Sequence, residues 1–237
     1  MKTQKNLNGL IKTGATLILS AIMFTACKKD GPVLPPAVQN GKLAVLVSSP
    51  GAAELSLLIN GAKATTAKPL TYNTTMDYSD FKSGAVEFGV TKKDATEVLA
   101  KITGTIKANT NYTLFLTDKS PKATVILSED DLSAPATDKA KIRFVNLSPD
   151  ATLLDLYLAG KTETGISKKA FKDVSGFINV DAAAEAKFEI KENGKTDVLA
   201  TLEKVKIEKG KIYTIYAKGL KDATDVSKLG IDVMINK

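Results

Sequence analysis

The chain has 237 residues, with 33 lysines and arginines against 26 acids, a formal net charge of +7, and neither histidine nor tryptophan. With no histidine and a single cysteine it lacks the parts for serine or cysteine triads and for histidine-ligated metal sites. Arginine occurs once, at Arg143, too sparse a supply for the bidentate contacts of nucleic-acid readers, so nucleic acid is not an expected partner.

The chain opens with Lys2, Lys5 and Lys12, the only charges in residues 1–26. The apolar run "ATLILSAIMF" follows, then the small residues Thr25 and Ala26. A basic head, a short apolar middle and a small-residue exit predict a signal peptide over 1–26. A run of this length falls short of the roughly 20 apolar residues a transmembrane helix needs. Cys27, the lone cysteine, stands at the exit, next to the charges of Lys28, Lys29 and Asp30. A thiolate there is a nucleophile able to accept a lipid, and two or more acyl chains give stable anchoring. "FTAC" resembles the lipobox of bacterial lipoproteins, with Phe24 where leucine is commonest. "CKKDG" resembles the start of lipoproteins that Bacteroidetes send to the outer membrane. The resemblance implies an outer-membrane lipoprotein, periplasmic or surface-exposed, held at the membrane through lipidated Cys27. Cleavage removes three lysines, so the mature chain carries 33 − 3 = 30 bases against 26 acids, a net of +4. Pro32, Pro35 and Pro36 make residues 27–41 an expected semi-rigid tether.

Beyond the tether the sequence repeats. Residues 42–61, "KLAVLVSSPGAAELSLLING", and 141–160, "KIRFVNLSPDATLLDLYLAG", share seven of twenty positions without a gap. Roughly one or two would match by chance. "NYTLFL" at 111–116 matches "IYTIYA" at 212–217, and "VLA" recurs at 98–100 and 198–200. The repeat predicts two domains, 42–130 and 140–237, joined by a polar linker over 131–139, and each was expected to fold alone. Leu55, Leu57 and Ile59, like Leu154, Leu156 and Leu158, alternate with other residues as in a strand with one wet face. Short apolar runs broken by turn residues such as Asn60-Gly61 predict an all-β fold. The expected class is two tandem immunoglobulin-like antiparallel β-sandwich domains. Tyr112 and Tyr213 each open a strand after a polar turn, the pattern of a tyrosine corner; an ordinary core tyrosine is the alternative.

"IRFVNLSPDATLLDLYLAG" resembles the opening of the family catalogued as domain of unknown function 4397 (DUF4397), common in bacterial surface proteins. Arg143, Asn146, Ser148, Pro149, Asp150, Ala151, Asp155, Tyr157 and Gly160 carry the resemblance. The first copy keeps Ser49, Pro50, Ala52 and Gly61 but departs at Ala44, Val47, Gly51, Ser56 and Leu58. The resemblance was expected to cover most of the second domain and, more weakly, the first. It implies a sandwich fold and export, and brings no activity, cofactor or functional residue.

Asn146, Ser148, Asp150 and Asp155 form the most distinctive polar set and, with Tyr72, the candidate binding residues. They grip a sugar or peptide, or they shape the turn through backbone bonds. Tyr78, aligned with Phe177, reads as a core position. "SEDDLS" around Glu129, Asp130 and Asp131 offers oxygens to calcium but has no glycine-turned loop, and reads as a solvated linker. "ENGKT" lacks the first glycine of a phosphate loop, with Glu189 in its place, and reads as a hairpin turn. No catalytic residue, metal site or cofactor is assigned. Three functions remain: a non-catalytic binding or adhesion lipoprotein contacting an envelope protein or glycan, a structural envelope lipoprotein, and a carboxylate-based glycan hydrolase.

Overall fold

The computed structural model describes residues 39–119, 121–159 and 165–237. The expected signal peptide, Cys27 and the expected tether up to residue 38 lie outside the described residues. Among the described residues every regular element is a strand. The first half contains β1 (Asn40–Ser48), β2 (Leu55–Ile59), β3 (Ala62–Lys63), β4 (Thr75–Lys82), β5 (Gly84–Lys92), β6 (Val98–Ile106), β7 (Asn111–Thr117) and β8 (Thr124–Asp130). The second half contains β9 (Lys139–Asn146), β10 (Leu154–Leu158), β11 (Ile166–Lys169), β12 (Ile178–Asp181), β13 (Ala183–Glu192), β14 (Val198–Ile207), β15 (Ile212–Lys218) and β16 (Gly230–Ile235). β1 starts at Asn40, so residues 40 and 41 belong to the sheet and not to the tether. A side chain at Gly41 would meet the Lys107 carbonyl at 2.7 Å, which is why that position is bare.

Each half is a sandwich of two four-stranded sheets, β4-β1-β7-β8 over β3-β2-β5-β6 and β12-β9-β15-β16 over β11-β10-β13-β14. The pairing departs from the purely antiparallel expectation at one place in each half, where β1 runs parallel to β7 and β9 parallel to β15. The chain between each such pair passes through the opposite sheet, which supplies the long crossover that parallel neighbours require. Phe88 and Phe188, equivalent in the repeat, fill the middle of their respective cores.

The four central strands explain the runs with no polar face. In β1, Leu43, Val45 and Val47 point into their own sandwich, while Ala44 and Leu46 point out of it. In β9, Ile142 and Phe144 point in and Val145 points out. The outward set forms a third core: Ala44, Leu46 and Phe115 from the first half meet Val145, Leu147, Tyr216 and Met234 from the second. The sandwiches are therefore packed sheet against sheet, and the two halves expected to fold alone share a buried face. Leu46 and Val145 are equivalent in the repeat, as are Phe115 and Tyr216, so both halves use the same patch, as subunits do in an isologous dimer.

A polar network crosses this face. Arg143 Nη1 lies 2.5 Å from Asp130 Oδ1, and its other nitrogens donate to Thr113 Oγ1 at 3.2 Å and Thr214 Oγ1 at 2.8 Å. Tyr78 Oη donates to Asp130 Oδ2 at 2.5 Å and accepts from Asn236 Nδ2 at 2.8 Å. Tyr78 is thus a residue of the face between the halves and not of a sandwich core. Burial, followed by the neighbouring Asp130 carboxylate, raises its phenol well above the ordinary range. Asp130 is no part of a solvated run either, since it ends β8 with its side chain buried. The connection to β9 is tacked down: Lys141 Nζ pairs with Asp131 at 3.1 Å and donates to the Ser133 carbonyl at 3.0 Å.

Candidate functional site

The turn after β1 and the turn after β9 are built alike. Ser49 Oγ donates to the Asp118 carbonyl at 2.5 Å, and Ser148 Oγ donates to the Gly219 carbonyl at 2.8 Å. Asp118 and Gly219 both stand in the left-handed region, at φ 86° and 80°. The Ser-Pro pair of each copy thereby fixes the point where the last loop of its half leaves the sheet.

In the second half that loop is longer, and it is clamped at its base. Both Asp150 oxygens accept from the Lys221 backbone N–H, at 2.9 and 3.0 Å. Leu220 N–H donates to the Ser227 carbonyl and Leu229 N–H to the Leu220 carbonyl, each at 2.7 Å. A Cβ on Gly219 would sit 2.4 Å from the Ser227 and Lys228 carbonyl oxygens, so only glycine fits. Asp225 Oδ1 accepts from both the N–H and the hydroxyl of Ser227, and the hydroxyl bond above all holds this carboxyl below the usual range. At the tip, Val226 is 91% exposed.

The clamped loop walls a cleft of about 500 Å³ whose other side is Pro50, Gly51 and Lys119 of the first half. Asp222, Thr224 and Asp225 line the second-half side. Thr117 locks the two halves beneath it, donating to the Ser48 carbonyl at 3.0 Å and the Leu147 carbonyl at 2.8 Å. Hydroxyls, carboxylates and one lysine on a fixed wall suit a polar ligand held by several hydrogen bonds.

The sequence-derived candidates separate here. Asn146 and Ser148 are buried, and Asn146 donates to the Thr152 and Lys169 carbonyls at 3.3 and 3.0 Å. Asp155 is also buried, accepting from Lys168 N–H at 2.7 Å and from the Asn193 amide. The face of β10 that was expected to be wet is covered by these bonds. Of the two alternatives, these bonds match turn-shaping, since the polar atoms of Asn146, Ser148 and Asp155 are occupied within the fold. Asp150 is exposed, yet both its oxygens serve the loop base. Tyr72 lies where the halves meet, its ring 6.0 Å from Lys218 Nζ. Its hydroxyl is shut from solvent without a partner among the described residues. Burial, then Asp232 and Asp225, push that hydroxyl's pKa up to about 12.

Tyr112 Oη accepts from Lys107 N–H at 3.3 Å, and Tyr213 Oη accepts from Glu208 N–H at 2.9 Å. Glu129, Asp130 and Asp131 serve three different partners, Lys107, Arg143 and Lys141, and no three carboxylates converge on a metal position among the described residues. Sequence reading missed the loop 219–229 and its cleft. The available signal was the "KGLKDATDVSKLG" stretch, longer than "TDKSPKAT" at the equivalent place in the first copy.

Fold and site together define the class: paired β-sandwiches that present a loop-walled cleft at one end. Residues 41–157 match the model of the family described as Domain of unknown function (DUF4397). The match covers the first half and reaches only β10 of the second, so the expected emphasis on the second half is corrected. No curated protein matches the chain. Among similar solved structures is a family 26 carbohydrate-binding module from Eubacterium rectale in complex with maltoheptaose. It is 14% identical over 82% of this chain and 95% of that one, with a TM-score of 0.26. A "putative cell adhesion protein" from Bacteroides eggerthii is 10% identical over 87% and 98%, with a TM-score of 0.26. One from Parabacteroides distasonis is 8% identical over 84% and 99%, with a TM-score of 0.25. Likeness this loose carries no ligand across.

Proposed function

We propose that this chain is an exported, non-catalytic binding or adhesion lipoprotein. Cys27 carries its lipid at the outer membrane, residues 28–38 space the folded part from the bilayer, and the end cleft contacts a glycan or an envelope protein. The cleft between 50–51, Lys119 and the clamped loop is the observation that carries the binding part. Recognition loops work when a rigid scaffold holds them, and here Ser148, Asp150, Gly219 and Thr117 hold both walls. Asp225, kept ionised by Ser227, is unsuited to act as a general acid at neutral pH. The test compares the mature chain with Asp222→Lys and Val226→Asp on a glycan array and in pull-downs from cell envelopes. Retention of a defined glycan or protein by the wild type, lost in both variants, is expected. Equal retention by all three proteins overturns the cleft as the contact surface and favours the structural-lipoprotein reading. Cleavage of a retained glycan overturns the non-catalytic reading.

A further inference from the structure

The two sandwiches close their sides differently, and one of them stays open. In the second half, Gly165 N–H donates to the Leu156 carbonyl, and Lys169 then pairs with Leu154. Between those points run only Ile166, Ser167 and Lys168, and the Ile166 side chain drops into the core. In the first half the same two points are Ala64 N–H on the Leu57 carbonyl and the bridge from Leu55 to Leu70. There the chain spends residues 65–69, two more, and swings away from β2. Ala64 and Leu70 pack on the core, but Thr65 and Ala67 between them are exposed, so no branched apolar side chain follows Ala64 as Ile166 follows Gly165.

The result is a groove of about 500 Å³ in the side of the first sandwich, between β2 and β4. Leu43, Val45 and Leu57 form its floor, and Ile59, Met76 and Phe81 its walls. Phe81 is held by Phe88, their rings 5.5 Å apart. The volume is that of a small-molecule pocket, with mostly apolar walls and a few polar groups at the mouth, and a flexible methionine can adapt to a chain-like ligand. Thr65, Thr66, Lys68 and Asp77 supply polar groups to its lining, and the Thr66 hydroxyl donates to the Lys68 carbonyl at 2.9 Å. Lys68 Nζ donates to the Thr75 carbonyl at a long 3.4 Å.

The geometry points to a second binding site, one that takes the aliphatic tail of a monoanionic amphiphile, a free fatty acid, with its carboxylate at Lys68. An aliphatic floor offers a sugar no hydrogen bonds, so this is not a glycan site. Asp77 in the same lining disfavours a dianionic phosphate head more than a single carboxylate paired with Lys68. The groove is separate from the end cleft, so the two readings fail independently.

The test is titration of the mature chain with decanoate and, as an uncharged control, 1-decanol, followed by the Met76 methyl resonance. Saturable binding of decanoate is expected, with contacts between its chain protons and the Met76 methyl. Ala64→Leu, which puts an aliphatic branch into the groove that Ala64 lines, should weaken both probes at least tenfold without lowering the melting midpoint. Lys68→Gln should weaken decanoate and leave decanol unchanged. Absence of a saturable Met76 shift, or binding indifferent to Ala64→Leu, overturns the site. Equal weakening of decanoate and decanol by Lys68→Gln overturns the carboxylate assignment. The proton contacts are read on the wild type, so the test stands even where a variant misfolds.

Discussion

Arg143 of the second half and Asp130 of the first form an ion pair at 2.5 Å, with side chains 1% and 0% exposed. The chain's lone arginine is thus placed at the centre of the contact between the sandwiches. At the equivalent position the first copy has Ala44, which belongs to the apolar part of the same face.

Breaking this pair from one side should cost far more than removing it altogether. Asp130→Ala strands a guanidinium that cannot lose its proton, and also deprives Tyr78 and Thr113 of an acceptor. The expected loss is about 3–5 kcal/mol in urea unfolding of the mature chain. The double variant Asp130→Leu with Arg143→Met should recover much of it. A single-variant loss below about 1 kcal/mol would show that water reaches the site.

The halves should depend on one another. Separated, each exposes an apolar patch, Leu46 and Phe115 on one and Val145 and Tyr216 on the other, that native surfaces rarely leave open. Residues 39–132 and 133–237 expressed apart should bind a hydrophobic dye and lose stability. Mixed, they should reassociate into a complex with the far-ultraviolet spectrum of the whole. Two independent, dye-free, monomeric halves would mean that the shared face is dispensable.

How much of this was legible in the sequence depends on distance along the chain. The strands, the Ser-Pro turns and the tyrosine positions are local patterns, and "LAVLV" and "IYTIYA" openly lack a polar face. That absence says that both faces are covered, but not by what, because the covering residue lies some 100 positions away. Thr113 and Thr214 break their apolar runs at the same place in both copies, a visible sign of a polar seam. Their partners Asp130, Arg143 and Asn236 carry no mark of one another. Asn146 and Asp155 left two alternatives open for the converse reason: a polar residue that completes a turn reads the same as one that meets a ligand.

The tyrosines give a contrast in sign. Tyr213→Phe leaves Glu208 N–H without its acceptor and should cost about 1–3 kcal/mol, with a smaller loss at Tyr112, whose bond is longer. Tyr72→Phe removes a hydroxyl that has no partner among the described residues, and should be neutral or stabilising by up to about 1 kcal/mol. The raised Tyr72 pKa means that the fold favours the neutral phenol. Its contribution is full below the unfolded value near 10 and is lost as pH rises through about 12. Stability measured from pH 9 to 12 should therefore fall less steeply in Tyr72→Phe than in the wild type.

The loop clamp links fold to proposed function most directly. Gly219→Ala drives a methyl group into two backbone carbonyls that no side-chain rotation can move aside, at a φ that already disfavours alanine. The base of the 219–229 loop must then shift, and the Pro50 side of the cleft loses its opposite wall. Ser148→Ala acts at the same point by a milder route, since it deletes the bond to the Gly219 carbonyl and keeps the backbone free of strain. Amide exchange over 220–229 should accelerate in both variants, more in Gly219→Ala, while β10 and β13 on the far sheet keep wild-type protection. Ligand retention should fall in the same order. If exchange quickens while retention stays at the wild-type level, the loop is a rigid ornament of the fold and the contact surface lies elsewhere.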